Sequence, residues 1–265
     1  MINNLKNNKI LWGVTTLLTF LAAIYGLIDN NIYSGLFPLK FIAAQFSQDW
    51  LTIAVCLFLG ILILSTKPDS IKRPVIIIGI MGSLAYLYGI FSIERVYNVL
   101  YLVYLAILGT SFFSVVFAIS SLNRDVLKTL EVKKGVKYTT AVFSLLIATL
   151  FSLLWISALL PLMATKTQIQ NLFSIYLLDL VFVMPSFVIT AVMTFRKNPL
   201  GYVLTPAMFI LGIFVIFPLG LGELAKPMFG LVIDYQGMIM SFLLSAMFLI
   251  GAIWQLAKLH AVQKN

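Results

Sequence analysis

Eight stretches of this chain are apolar over the length of a membrane crossing. A helix needs roughly 20 mostly apolar residues to traverse the hydrocarbon core. Residues 10–28, 50–65, 74–93, 99–121, 138–162, 173–195, 200–221 and 236–257 meet that need, the second after extension back through Ser47. Lipid offers no water to satisfy backbone groups, so such stretches must be helical. The composition agrees, with 61% of the 265 residues hydrophobic and only 10% charged. Soluble domains carry about 25% charged residues, and a water-soluble core of this length cannot bury so much apolar surface. Soluble enzymes, nucleic-acid-binding domains and disordered chains are thereby excluded. The expected fold is all-α: a polytopic bundle of eight transmembrane helices, read as one transmembrane domain over residues 1–265. Lys6 and Lys9 before the first run imitate a secretion signal. The run is nevertheless long enough to span, and no small-x-small cleavage site precedes Asp29, so it reads as a retained helix.

An even number of spans places both termini on one side. That side collects fourteen Lys and Arg: Lys6, Lys9, Lys67, Lys72, Arg73, Arg124, Lys128, Lys133, Lys134, Lys137, Arg196, Lys197, Lys258 and Lys264. The other side holds four: Lys40, Arg95, Lys166 and Lys226. Cytoplasmic loops accumulate Lys and Arg, so both termini are expected in the cytoplasm of a cell-membrane protein. The net charge of +9 then reports topology, and no nucleic-acid partner follows from it. The most charged segment, 123–137, is expected to attract anionic headgroups, which makes membrane lipids the implied partners. The acids lean the other way. Asp69, Asp125 and Glu131 fall on the basic side, while Asp29, Asp49, Glu94, Asp179, Glu223 and Asp234 fall on the opposite one.

Four of those six acids recur at matching positions. Asp49 is followed by Lys67 after 18 residues, Gly82 after 33 and Glu94 after 45. Asp179 is followed by Lys197 after 18, Gly212 after 33 and Glu223 after 44. Two repeat halves are therefore expected, approximately 1–121 and 122–265. Four helices per half give both the same orientation, which is a parallel repeat. In this reading each Asp opens a helix at its outer N-terminal end, where the helix dipole favours negative charge.

Asp179 lies almost two turns inside its span, six residues before Pro185. Ionisable groups there are costly in lipid and normally face the bundle interior or water, and a helix break beside a carboxylate is a transporter ingredient. Tyr97, Tyr101 and Tyr104 have i, i+4, i+7 spacing, expected to form one stripe on the fourth helix, with Glu94 and Asn98 beside it. Nine of the eleven tyrosines fall in outer halves, more than a simple interfacial belt requires. An outward-facing, Tyr-lined acidic cavity is the expectation. The apolar stretch Asn30–Gln48 reads either as a short interfacial helix with Gln45, Gln48 and Asp49 on its polar side, or as a loop packed over the bundle.

Cys56 and His260 are the only cysteine and histidine. Disulfides within the chain, thiolate metal sites and Ser-His-Asp triads are therefore not expected. The chain has no Gly-rich phosphate loop and no G-x-S-x-G elbow. No metal or cofactor is implied, and ATP-driven chemistry would need a separate subunit.

The runs Leu178-Asp179-Leu180-Val181-Phe182-Val183-Met184-Pro185 and Arg196-Lys197-Asn198-Pro199-Leu200-Gly201-Tyr202, with Gln48-Asp49 and Asn98-Val99-Leu100-Tyr101-Leu102-Val103-Tyr104, resemble a group of prokaryotic eight-helix integral membrane proteins whose activity is uncharacterised. The resemblance implies the eight-helix layout and draws attention to Asp49, Asn98 and Asp179. It implies no substrate and no catalytic residue.

Three functional readings follow. The first is a small-solute or ion permease, taking a small cationic solute or a proton. Asp49 and Asp179 would be its binding carboxylates, with Asn98, Tyr101, Tyr104, Glu94 and Glu223 around the site and its entrance. The second is a non-catalytic sensor or assembly subunit. The third, an enzyme acting on a lipid-linked substrate with two carboxylates dividing acid and base roles, has no nucleophile-base pair in its favour, so the balance leans away from catalysis. One outer cavity shared by Asp49 and Asp179 would favour the permease or the enzyme. Separate helix-packing seams would favour the subunit.

Overall fold

A computed structural model describes residues 1–169 and 172–262. Lys264, one of the fourteen bases, lies outside them. Eight helices among the described residues are long and apolar enough to cross a membrane. They run α1 (Leu5–Ile28), α2 (Leu39–Ser65), α3 (Lys72–Ile93), α4 (Tyr101–Ser120), the short α5 (Arg124–Thr129) outside the bundle, α6 (Lys134–Thr165), α7 (Phe173–Leu178), α8 (Met184–Phe195), α9 (Pro199–Ala225) and α10 (Tyr235–Lys258). A π turn over Asp179–Val183 joins α7 to α8, making one span of the two.

The centre is the pair α3 and α9, the most buried spans. They approach closely because Gly79 has no side chain. A Cβ there would lie 2.7 Å from the Ala207 carbonyl oxygen and 2.7 Å from Ile210 Cβ. Small residues at helix seams are the usual way membrane helices gain van der Waals contact, since lipid tails give no hydrophobic drive between helices. Around this pair α1 packs on α2 and α4, α4 on α3, α2 on α9, α7 on α3, α6 on α8, and α8 and α10 on α9. Phe187, Phe209 and Phe248 fill the junction of α8, α9 and α10, with the Phe187 and Phe248 rings stacked at 6.0 Å. Large apolar side chains of α6 and α10 such as Leu150, Leu153, Ile250 and Ile253 are exposed, as lipid-facing positions are.

The second span differs most from expectation. α2 begins at Leu39 and runs unbroken to Ser65, so there is neither a separate interfacial helix nor a packed loop over 39–48. Pro38 stands extended before it, at ψ 149°. No Gly or Pro interrupts Leu39–Leu59, so nothing ends the helix once begun. Polar Lys40, Gln45, Gln48 and Asp49 had hidden that continuity. Upstream, Asn30–Tyr33 forms a single 3-10 turn, its start capped by the Asp29 side chain accepting from the Asn31 amide.

The two ends of the bundle are distinct. At one end the N-terminal segment meets the loop after α4, with the Asn3 amide donating to the Ser121 carbonyl at 2.7 Å and Ile2 bridging to Leu122. There too β1 (Leu130–Glu131) pairs antiparallel with β2 (His260–Ala261). This two-stranded ribbon was not expected, two-residue strands carrying no periodic signal. The alternation of eight spans requires both terminal segments at one end, and they are found there together.

Candidate functional site

Asp49 is the eleventh residue of α2, about 15 Å along the helix at 1.5 Å per residue. It does not open the helix, so the dipole argument made for it fails and its burial must be met by side chains. Both carboxyl oxygens have a neutral donor. The Tyr33 hydroxyl donates to Oδ2 at 3.0 Å, and Gln45, one turn earlier on α2, donates from Nε2 to Oδ1 at 2.9 Å. α1 can pass over this carboxyl only because position 26 is glycine. A Cβ on Gly26 would collide with Asp49 Oδ2 and lie 2.7 Å from the Tyr33 oxygen.

Tyr33 is 1% exposed and Asp49 4%, so this carboxyl is enclosed rather than set in an open outer cavity. Burial first, then the neighbouring Asp49 and Tyr104, push the Tyr33 phenol well above its usual range, and it remains a proton donor throughout physiological pH. Tyr104, Tyr88 and Phe91 close the cluster, with Phe91 and Tyr104 ring centroids 4.9 Å apart and Tyr88 and Tyr104 5.7 Å apart. Asn98 links it to the preceding turn. Its Nδ2 donates to the Tyr104 hydroxyl at 3.2 Å and the Ile32 carbonyl at 3.4 Å, while its Oδ1 accepts from the Leu100 amide at 2.9 Å.

Asp179 lies in a different seam. It is the first residue of the π turn and is buried. Its Oδ2 accepts from Trp155 Nε1 of α6 at 2.7 Å, and Tyr86 of α3 stands beside it. Pro185 has no amide hydrogen to give, and the helix accommodates this by widening just before it: the Met184 amide reaches back five residues to the Asp179 carbonyl. π turns of this kind concentrate at functional positions. Asp49 thus faces Tyr88 and Asp179 faces Tyr86, two residues apart on α3 and hence on different sides of it. Neither carboxyl has a Lys or Arg within salt-bridge distance among the described residues, where the ion pairs are Lys128–Asp125 and Lys226–Glu223.

The remaining predicted residues do other work. Glu94 Oε1 accepts from the Ser174 amide at 2.8 Å and hydroxyl at 2.6 Å, capping the start of α7 from the end of α3. Glu223 pairs with Lys226 at 2.6 Å and accepts from the Asp234 amide at 2.8 Å, where α10 begins. The Tyr stripe is interrupted, because α4 begins only at Tyr101. Tyr97 precedes it and is exposed, while the Tyr101 hydroxyl donates to the Ser92 carbonyl at 3.1 Å. The structure therefore joins Asp49, Tyr104 and Asn98, and leaves Asp179, Glu94, Tyr101 and Glu223 elsewhere. Sequence reasoning missed Trp155 and the role of Gly26. No spacing or motif marks either residue, since Gly26 acts by lacking a Cβ and Trp155 reads as an ordinary aromatic side chain of a span. Among the described residues no three His, Cys, Asp or Glu side chains come together as a metal site would need. Compared with protein-family models, curated proteins and solved structures, the chain matches none.

Proposed function

We propose that this integral membrane protein is a non-catalytic sensor or assembly subunit, and that Asp49 and Asp179 fasten two of its packing seams. The observation that carries this reading is their separation. Each carboxyl is buried on its own side of α3 and held by neutral donors of its own seam. Polar side chains used in this way join membrane helices. The separation also tells against an enzyme in which the two carboxyls share one substrate.

The same reading takes the bundle as two parallel four-helix repeats. In support, α1 on α2 and α3 on α4 recur as α6 on α8 and α9 on α10, while α2 meets α9 much as α7 meets α3. A pseudo-two-fold axis between α3 and α9 would relate these pairs.

A permease is the second reading, favoured by the lack of a basic partner at either carboxyl and by the π turn at Asp179. Membrane carboxyls of this kind bind protons or cations in transporters. One experiment separates the two. The chain alone is reconstituted into vesicles loaded with a pH-sensitive dye, and a potassium diffusion potential is imposed. A subunit gives acidification no faster than protein-free vesicles, and it co-migrates with a stoichiometric partner on native gels after mild solubilisation. Proton uptake by the chain alone, abolished in Asp179→Asn and Asp49→Asn, would overturn the subunit reading and establish the permease.

A further inference from the structure

At the basic end, the first turns of α6 and α9 and the β1 strand surround a half-open cavity of about 490 Å³. Four lysines line it, Lys128, Lys134, Lys137 and Lys197, against one carboxylate, Glu131. Lys137 is held from two sides. Its Nζ donates to the Tyr202 hydroxyl at 3.3 Å, and it lies 5.4 Å from the Tyr202 ring centroid and 5.7 Å from that of Tyr138. These contacts fix the ammonium without neutralising it, and among the described residues no carboxylate lies within 4.0 Å of it. Lys134 and Pro199 are the first residues of two long helices, whose N-terminal amides add positive potential.

The loop that floors the cavity is fastened in place. β1 pairs with β2, the Val262 amide donates to the Thr129 carbonyl at 2.8 Å, and Leu130 and Val132 are buried. Lys137 is half-buried while Lys134 and Lys197 are exposed around it and Lys128 is paired with Asp125, and an anion among these like charges relieves their mutual repulsion. The volume is within the range of small-molecule sites, and basic pockets between spans at this level take anionic headgroups.

We infer that this cavity binds a phosphate group, with Lys137 and Lys197 as its main cationic ligands. The phosphate can be carried by an anionic phospholipid at the membrane surface or by a soluble phosphate ester. The inference is independent of the subunit and permease readings.

The test uses the full chain in nanodiscs of phosphatidylcholine with or without phosphatidylglycerol, read by native mass spectrometry, and glycerol 3-phosphate titrated calorimetrically into the chain in phosphatidylcholine discs. The lipid source predicts one or more phosphatidylglycerol molecules retained at high collision energy, reduced at least tenfold in Lys137→Gln/Lys197→Gln. The soluble source predicts saturable glycerol 3-phosphate binding, lost in the same variant. Lys72→Gln, at the same end but outside the cavity, should change neither. Lys197→Glu, in the exposed turn before α9, serves if the double variant is unstable, and should give the same loss. Binding of neither probe overturns the proposal. So does an equal loss in Lys72→Gln, which would mean general attraction to the basic end.

Discussion

The Asp49 cluster turns on a missing atom. Gly26 is silent in any motif search, yet it decides whether α1 can cross the carboxyl and leave room for the Tyr33 hydroxyl. Gly26→Ala should destabilise the protein by about 1–3 kcal/mol, the usual cost of overpacking a filled site, measured by thermal unfolding in detergent. Gly13→Ala is the control, since a Cβ there meets nothing within 4 Å. Trp155→Phe keeps an aromatic ring near Asp179, though a smaller one, and removes its donor. An unmet buried acceptor costs about 1–3 kcal/mol, and Trp155→Phe/Asp179→Asn should cost less than the two single losses added together. Strict additivity would mean that the 2.7 Å contact contributes nothing. Asp49, Asn98 and Asp179 were legible as candidates because charge and amide are rare in apolar runs, and Tyr104 because of its spacing from Tyr97 and Tyr101. Their partners were not legible, because Trp155 and Tyr33 read as ordinary aromatic residues of a membrane protein and only the fold brings them to a carboxyl.

Among the elements, α3 and α9 are the most buried spans and lie against each other at Gly79. Gly79→Val should disrupt this pair and lower the yield of folded monodisperse protein severalfold. Gly60→Val, where a Cβ meets nothing within 4 Å, should leave it nearly unchanged. Equal effects would show that the contact is not needed. The number and order of spans were readable from apolar run length alone, because the bilayer imposes that length. The bounds of α2 were not. Helix continuity depends on the absence of breakers, whereas Lys40, Gln45, Gln48 and Asp49 suggested a polar boundary. The π turn had one visible cause, Pro185, but whether a proline kinks a helix or widens it depends on which carbonyls its neighbours can satisfy.

For the whole molecule, the charge pattern predicts orientation. With the basic end cytoplasmic, a cysteine at Lys72 should resist a membrane-impermeant maleimide in intact cells, and one at Met228 should react. Cys56 is buried and adds little background. The opposite labelling would invert the assigned sides. The basic end was legible from the loops, whereas the ribbon that closes it was not, because its strands are two residues each and lie far apart in sequence. That distance has a consequence in time. Leu130 and Glu131 leave the ribosome when only four spans have been made, but their partners, His260 and Ala261, follow the eighth. During insertion β1 therefore stays without its partner strand, and the floor of the cavity cannot close until the segment after α10 has been made. A chain cut before residue 260 would keep all eight spans and leave the pocket unfinished, so closing the pocket requires the segment after α10 and not the spans alone.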